Sequence, residues 1–277
     1  MPQFPQDLQL MYGTAWKEDA TANLTYLALN AGFRAIDTAN QRKHYFEEGV
    51  GEGIKKFLEQ TGSTRDALFL QTKYTYERGQ DHRLPYDPRA SFSEQVKQSF
   101  ASSLEHLGTD HIDSYVLHGP YRAEGVFEED QETWRAFESL HSQGKVKHLG
   151  VSNVSPLHLS QLLDFAEVKP TFVQNRCFAR VGWDQPIREI CKEHGLIYQG
   201  FSLLTANSAE LSHPSVAEMA HQHGKTIPQL VFQFSRQLGM LPLTGTTSEQ
   251  HMKQDLKIGD FELTPAQVNN LESIALS

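Results

Sequence analysis

Short apolar runs alternate with amphipathic stretches along nearly all of the 277-residue chain, and this rhythm restricts the fold more than any other feature. The runs lie at Leu8–Tyr12, Phe33–Ile36, Leu68–Gln71, Ile112–Leu117, Leu149–Val151, Phe172–Gln174, Leu196–Phe201 and Leu241–Leu243. Each has the length of a strand buried on both faces. Helical patterns fill the gaps. Ala20–Ala31 carries Leu24, Leu27, Ala28 and Ala31 at helical spacing before the stop Gly32. Ser91–Leu107 puts Val96, Phe100, Leu104 and Leu107 on one side, and Asp130–Gln143 opens on a capping aspartate and ends before Gly144. Ser155-Pro156 opens His158–Phe165 with a cap and a first-turn proline. Asp184–His194 ends at Gly195, and Pro265–Leu276 is the last helix. Eight strands with helices between most of them predict a (β/α)8 TIM barrel, an α/β fold of about 250 residues, here one domain over residues 1–277. A doubly wound open sheet shares this rhythm, and periodicity does not separate the two. The chain lacks GxGxxG after its first strand, which favours the barrel.

Charge narrows the function classes. With 25 Lys+Arg against 34 Asp+Glu the formal charge is −9, so no clustered positive field for nucleic acid or an anionic membrane is expected. The start MPQFPQDLQLMYG has neither a basic end nor an apolar core, so no signal peptide is expected. No stretch is long and apolar enough to span a bilayer. Cys177 and Cys191 fit reduced thiols, and a cytoplasmic protein is expected.

Barrel enzymes place their chemistry at the C-terminal ends of the strands. There the apolar runs end in Asp37, Lys73, His118, Ser152-Asn153, Gln174-Asn175 and Ser202. One polar strand end is usually a cap; an acid, an amine and an imidazole on three strands suggest a site. The 13 histidines form no HExxH and have no cysteine partner, and no metal is expected. His111, His148, His194 and His213 read as surface or strand-end residues, Glu128–Asp130 as a solvated helix start, and the polar segment Tyr74–Arg89 as either a functional loop over one end of the barrel or a solvated insertion.

These elements resemble the aldo-keto reductases over nearly the whole chain. The resemblance rests on GTAW (Gly13–Trp16), AIDTA (Ala35–Ala39), EEGVGEGI (Glu47–Ile54), LQTK (Leu70–Lys73), IDSYVLHGP (Ile112–Pro120), GVSN (Gly150–Asn153), VQNR (Val173–Arg176) and LTGTTSEQHM (Leu243–Met252), in that order. It is nearest to a branch written DTANQxKHY. It implies reduction of aldehyde or ketone carbonyls by hydride from a nicotinamide, with Asp37, Tyr45, Lys73 and His118 as the catalytic group. Two extra residues in the loop after Asp37 leave the donor's position open. Common spacing falls on Arg42, and counting back from Val50-Gly51 gives His44. Tyr45 ends the KHY pattern and is the chosen donor, with His44 its rival. A phenol titrates near 10, and Lys73 is expected to lower that value.

On the cofactor side the resemblance implies Ser152, Asn153 and Gln174 at the nicotinamide carboxamide, Phe201 stacked on the ring, and Ser202 and Leu204 along the pyrophosphate. Gly245, Thr246 and His251 stand where the family's NADP-binding form carries two fixed cations, although a 2′-phosphate would carry roughly −1.5 to −2 charges. NADPH is the expected cofactor, with NADH the other nicotinamide to test. Trp16, Tyr74 and His118 are expected to wall the substrate, with Tyr76 the other tyrosine considered at the mouth. Gly119, where relatives often carry tryptophan, is expected to leave one wall open. Two other readings remain: a cofactor-sensing module without turnover, and a Schiff-base lyase using Lys73. A monomer acting on a small-molecule carbonyl compound is expected.

Overall fold

A computed structural model describes residues 8–276. The first seven residues, on which part of the reading of the chain start rests, and Ser277 lie outside the described residues. Eight parallel strands close into a barrel in chain order. They are β1 (Met11–Gly13), β2 (Ala35–Asp37), β3 (Phe69–Tyr74), β4 (Ile112–Leu117), β5 (Val146–Ser152), β6 (Phe172–Arg176), β7 (Ile197–Phe201) and β8 (Met240–Thr244). The helices outside are α1 (Thr21–Ala31), α2 (Glu47–Thr61), α3 (Phe92–Leu107), α4 (Glu128–Ser142), α5 (Pro156–Phe165), α6 (Gln185–His194), α7 (Pro214–Gln222), α8 (Ile227–Gln237), α9 (Glu249–Asp255) and α10 (Pro265–Glu272). β8 pairs back onto β1, with Met11 opposite Leu243, so no strand edge is left open.

Side chains alternate across each strand, and this alternation sorts the sequence into layers. Met11, Ala35, Phe69, Phe172, Leu241 and Leu243 meet inside the lower barrel. Two residues further along the strands the interior turns polar. Gln71 Nε2 donates to Asp37 Oδ1 (2.7 Å) and Gln199 Oε1 (2.8 Å), Ser114 Oγ donates to Gln71 Oε1 (2.7 Å), and Gln174 Nε2 donates to Asp37 Oδ1 (3.1 Å). The intervening residues Ile36, Leu70, Tyr115, Leu149, Val151, Val173 and Tyr198 join the apolar shell under the helices. Each face of a strand thus serves a different core, which is why the strands read as unbroken apolar runs.

Several boundaries differ from the sequence expectation. The first strand is Met11–Gly13 rather than Leu8–Tyr12. α4 starts at Glu128, and Asp130 sits a turn inside it, accepting from the Phe127 and Tyr121 amides and the Tyr76 hydroxyl. Asp130 is therefore buried rather than part of a solvated start. His148 is no surface residue either: its ring centroid lies 5.6 Å from that of Phe172, in the barrel. The last helix ends at Glu272, followed by a short 3-10 turn.

Candidate active site

The C-terminal mouth of the barrel opens into a cavity of 1570 Å³ bounded by residues from the ends of most of the strands. At its floor, Lys73 donates to Asp37 Oδ1 (2.7 Å), Asp37 Oδ2 (2.8 Å) and the Thr38 carbonyl (2.8 Å). Those three bonds use every proton of an ammonium. An amine so committed has no free lone pair, which works against the Schiff-base reading. Burial pulls the Lys73 pKa down while Asp37 opposes it.

The segment after β2 turns sharply, with the His44 and Tyr45 amides both bonded to the Gln41 carbonyl. This turn sends the two neighbours to different places. The Tyr45 ring lies with its centroid 5.1 Å from Lys73 Nζ and 5.8 Å from that of the His118 ring. His44 packs against Trp16, with centroids 4.1 Å apart, and its Nδ1 meets Gln41 Oε1 at 3.0 Å. The expected lowering of the Tyr45 pKa is corrected here. Burial, which disfavours the phenolate, and secondarily the Asp37 carboxylate push it up. Tyr45 is therefore a protonated phenol at neutral pH.

His118 is held neutral, its pKa pushed well below the usual histidine range by burial and then by the Lys73 charge. Its Nδ1 lies 2.7 Å from Thr75 Oγ1. Two tautomers fit that distance. With Thr75 donating to Nδ1, the imidazole N–H is on Nε2; with the proton on Nδ1, the Thr75 hydroxyl accepts it.

Asp37, Tyr45, His118, Trp16 and Gly119 all border the same cavity. Trp16 is 70% exposed. A Cβ at Gly119 would meet nothing closer than Asn153 Cβ at 3.7 Å. Tyr74 does not border the cavity and is corrected. It is fully buried on the outer face of β3, its hydroxyl 3.1 Å from Gln95 Oε1. Strand alternation contains that answer: with Lys73 inside, Tyr74 must point out. Tyr76 does reach the cavity wall, although its hydroxyl is bound to Asp130 and Thr133.

The other half of the cavity is bordered by Ser152, Asn153, Gln174, Phe201, Ser202, Leu204, Gly245, Thr246 and His251. Asn153 and Ser202 adopt left-handed backbone conformations, with φ of 56° and 57°. Asn153 Nδ2 donates to the His118 carbonyl (2.8 Å), and Ser152 Oγ to that of Gln174 (2.6 Å). Sequence reasoning missed Lys17, which is nearly buried, donates to the Gly245 carbonyl (2.7 Å) and has its pKa pushed down to about 8 by burial. It also missed Arg176, Thr75 and Arg78, which border the cavity too. Lys17 directly follows GTAW, and Arg78 lies in the loop after β3, but nothing local marks either as facing a cavity. A long cavity carrying hydroxyls, an open amide oxygen on Gln174 and the cations Lys17 and Arg176 suits an anionic dinucleotide. Among the described residues no three His, Cys, Asp or Glu side chains gather as a metal site, and no helix is long and apolar enough to cross a membrane.

The sequence profile of the aldo/keto reductase family matches residues 9–276. The uncharacterized oxidoreductase YtbE of Bacillus subtilis is 32% identical over 252 residues, covering 91% of this chain and 82% of that protein. The glyoxal reductase of the same organism is 30% identical over 248 residues, covering 89% of this chain and 80% of the relative. The crystal structure of an aldo/keto reductase from Brucella melitensis superposes with a TM-score of 0.81 at 28% identity, over 96% of this chain and 94% of the other.

Proposed function

Because the chain belongs to the aldo/keto reductase family, we propose that it reduces a small-molecule aldehyde or ketone to the alcohol with NADPH, Tyr45 giving the proton. The observation that carries this reading is the meeting of the Tyr45 ring with Lys73 Nζ and the His118 ring above the Asp37–Lys73 ion pair. Bound dihydronicotinamide supplies hydride to the carbonyl carbon. Tyr45 transfers its phenolic proton to the carbonyl oxygen as charge builds there, and the Lys73 ammonium stabilises the phenolate left behind. Asp37 keeps Lys73 charged and fixed. His118 donates from Nε2 to the same oxygen and sets the angle of the carbonyl. The carbonyl is reduced by the two electrons that the cofactor gives up, Tyr45 regains its proton from solvent, and no other group changes oxidation state.

Gln174, Ser152 and Asn153 hold the carboxamide end of the cofactor, Phe201 faces its ring, and Ser202 and Leu204 line the pyrophosphate. Gly245, Thr246 and His251 border the adenosine end, with Lys17 adding the charge that the loop itself lacks. In this reading the protein acts as a cytoplasmic monomer and binds no nucleic acid.

A panel of carbonyl compounds assayed with NADPH and NADH, in the wild type and in Tyr45→Phe, tests the reading. Turnover in the wild type should fall at least 100-fold in Tyr45→Phe, with cofactor binding by tryptophan quenching unchanged. Binding without turnover in the wild type would favour the sensing module, and full activity in Tyr45→Phe would transfer the donor role to His44.

A further inference from the structure

The substrate half of the cavity is cationic, in a chain whose net charge is −9. Its border carries Arg78 and Arg122, and among the described residues the only acidic ones around the whole cavity are Asp37 and Asp255. Asp37 is spent on Lys73, and Asp255, which takes a hydrogen bond from Thr244 Oγ1 at 2.8 Å, belongs to the adenosine end. The two arginines differ. Arg122 is paired with Glu129 at 2.8 Å. Arg78 has no carboxylate within ion-pair distance among the described residues; its guanidinium donates to the Pro120 carbonyl. That carbonyl is two residues past His118, so the tether holds a charged group beside the loop that presents the imidazole.

The turn bearing Arg78 is itself anchored. The Gly79 carbonyl accepts from Gln41 Nε2 (2.6 Å), Gln80 Nε2 donates to the Asn40 carbonyl (2.9 Å), and the Tyr86 hydroxyl donates to the Thr75 carbonyl (2.7 Å). Gly79 has no room for a side chain, since a Cβ there would come within 2.7 Å of Thr75 Cγ2. A guanidinium has five donors, and one bond to Pro120 leaves most of them for a ligand. A fixed cation with spare donors is the group that recognises a carboxylate in a fork.

Resting on the reductase reading above, we propose that Arg78 is a specificity residue that binds the carboxylate of an anionic carbonyl substrate, a 2-oxo acid or an aldehyde acid, while His118 and Tyr45 address its carbonyl oxygen.

Phenylglyoxylate and its methyl ester present the same ketone with and without the charge. In Arg78→Met, kcat/KM for the anion should fall on the order of 10–100-fold, while that for the ester stays within about 2-fold, showing an intact reaction centre. Equal losses for both compounds, or no loss for either, would overturn the proposal. Phenylglyoxylate binding to the enzyme loaded with oxidised NADP, followed by tryptophan fluorescence, gives the same comparison without turnover. Its Kd should rise by a similar factor in the variant, and an unchanged Kd overturns the assignment. Failure of the wild type to reduce the ester counts against the reductase reading alone, and the binding arm still decides the role of Arg78.

Discussion

Thr75 shows how one hydroxyl can set the chemistry of its neighbour. Its Oγ1 lies 2.7 Å from His118 Nδ1, and by donating to that nitrogen it would leave Nε2 to carry the proton that the proposed mechanism uses. In Thr75→Val the shape remains and the hydroxyl is lost, so the tautomer is no longer fixed. Steady-state kinetics should show kcat for reduction roughly 10-fold lower, with KM for NADPH unchanged and Thr75→Ser close to wild type. A Val variant as active as the Ser variant would remove Thr75 from the site. At this scale the sequence was legible where residue type and strand end coincide, as at Asp37, Lys73 and His118. It was illegible for Tyr45 against His44, because the turn at Gln41 decides which of two adjacent side chains meets Lys73. It misled at Tyr74, where proximity to Lys73 in the chain means the opposite face in the barrel.

α2 is one of the elements the sequence hides. It carries Gly49, Gly51 and Gly53, each costing helix propensity, and the sequence reading gave it no helix. The tertiary structure explains the pattern. A Cβ on Gly51 would fall 2.1 Å from the His106 carbonyl at the end of α3, and one on Gly53 would fall 2.5 Å from the Ala22 carbonyl in α1. Backbone this close cannot yield as a side chain can. Gly51→Ala should gain intrinsic helix propensity yet lose at least ~2 kcal/mol of stability, visible as a lower urea midpoint at unchanged slope. A neutral or raised midpoint would show that α2 and α3 can move apart freely. α3 and α5, by contrast, were legible because their caps are local: Ser91 and Ser155 accept from the amides three residues on.

At the scale of the whole molecule, stability is linked to pH through groups packed between barrel and helices. Glu47 is buried and takes hydrogen bonds from Thr72, Ser103 and His106. The bond to Glu47 raises the His106 pKa above its usual value of 6.5. The folded chain thus holds this proton more tightly than the unfolded chain. The stabilisation is complete below about pH 6.5 and fades as pH rises through the folded value. The unfolding free energy lost in His106→Gln should be larger at pH 5.5 than at pH 9. An equal loss at both values would mean that His106 is not charged in the fold. His118 acts in the other direction: its depressed pKa has no effect on folding above about pH 6.5, where both states are neutral, and opposes folding below it as acid charges the unfolded imidazole.

The sequence by itself determined the strand and helix rhythm, most helix ends and which polar residues stand at strand ends, since these depend on periodicity and on contacts a few residues apart. Only the tertiary structure decided how the apolar runs divide between two cores, why α2 needs glycine, where Tyr45 and Tyr74 point, and that Lys17 and Arg78 border a cavity formed by distant loops. Those outcomes depend on barrel closure, which brings β8 beside β1 and sets the direction of every side chain at the mouth at once.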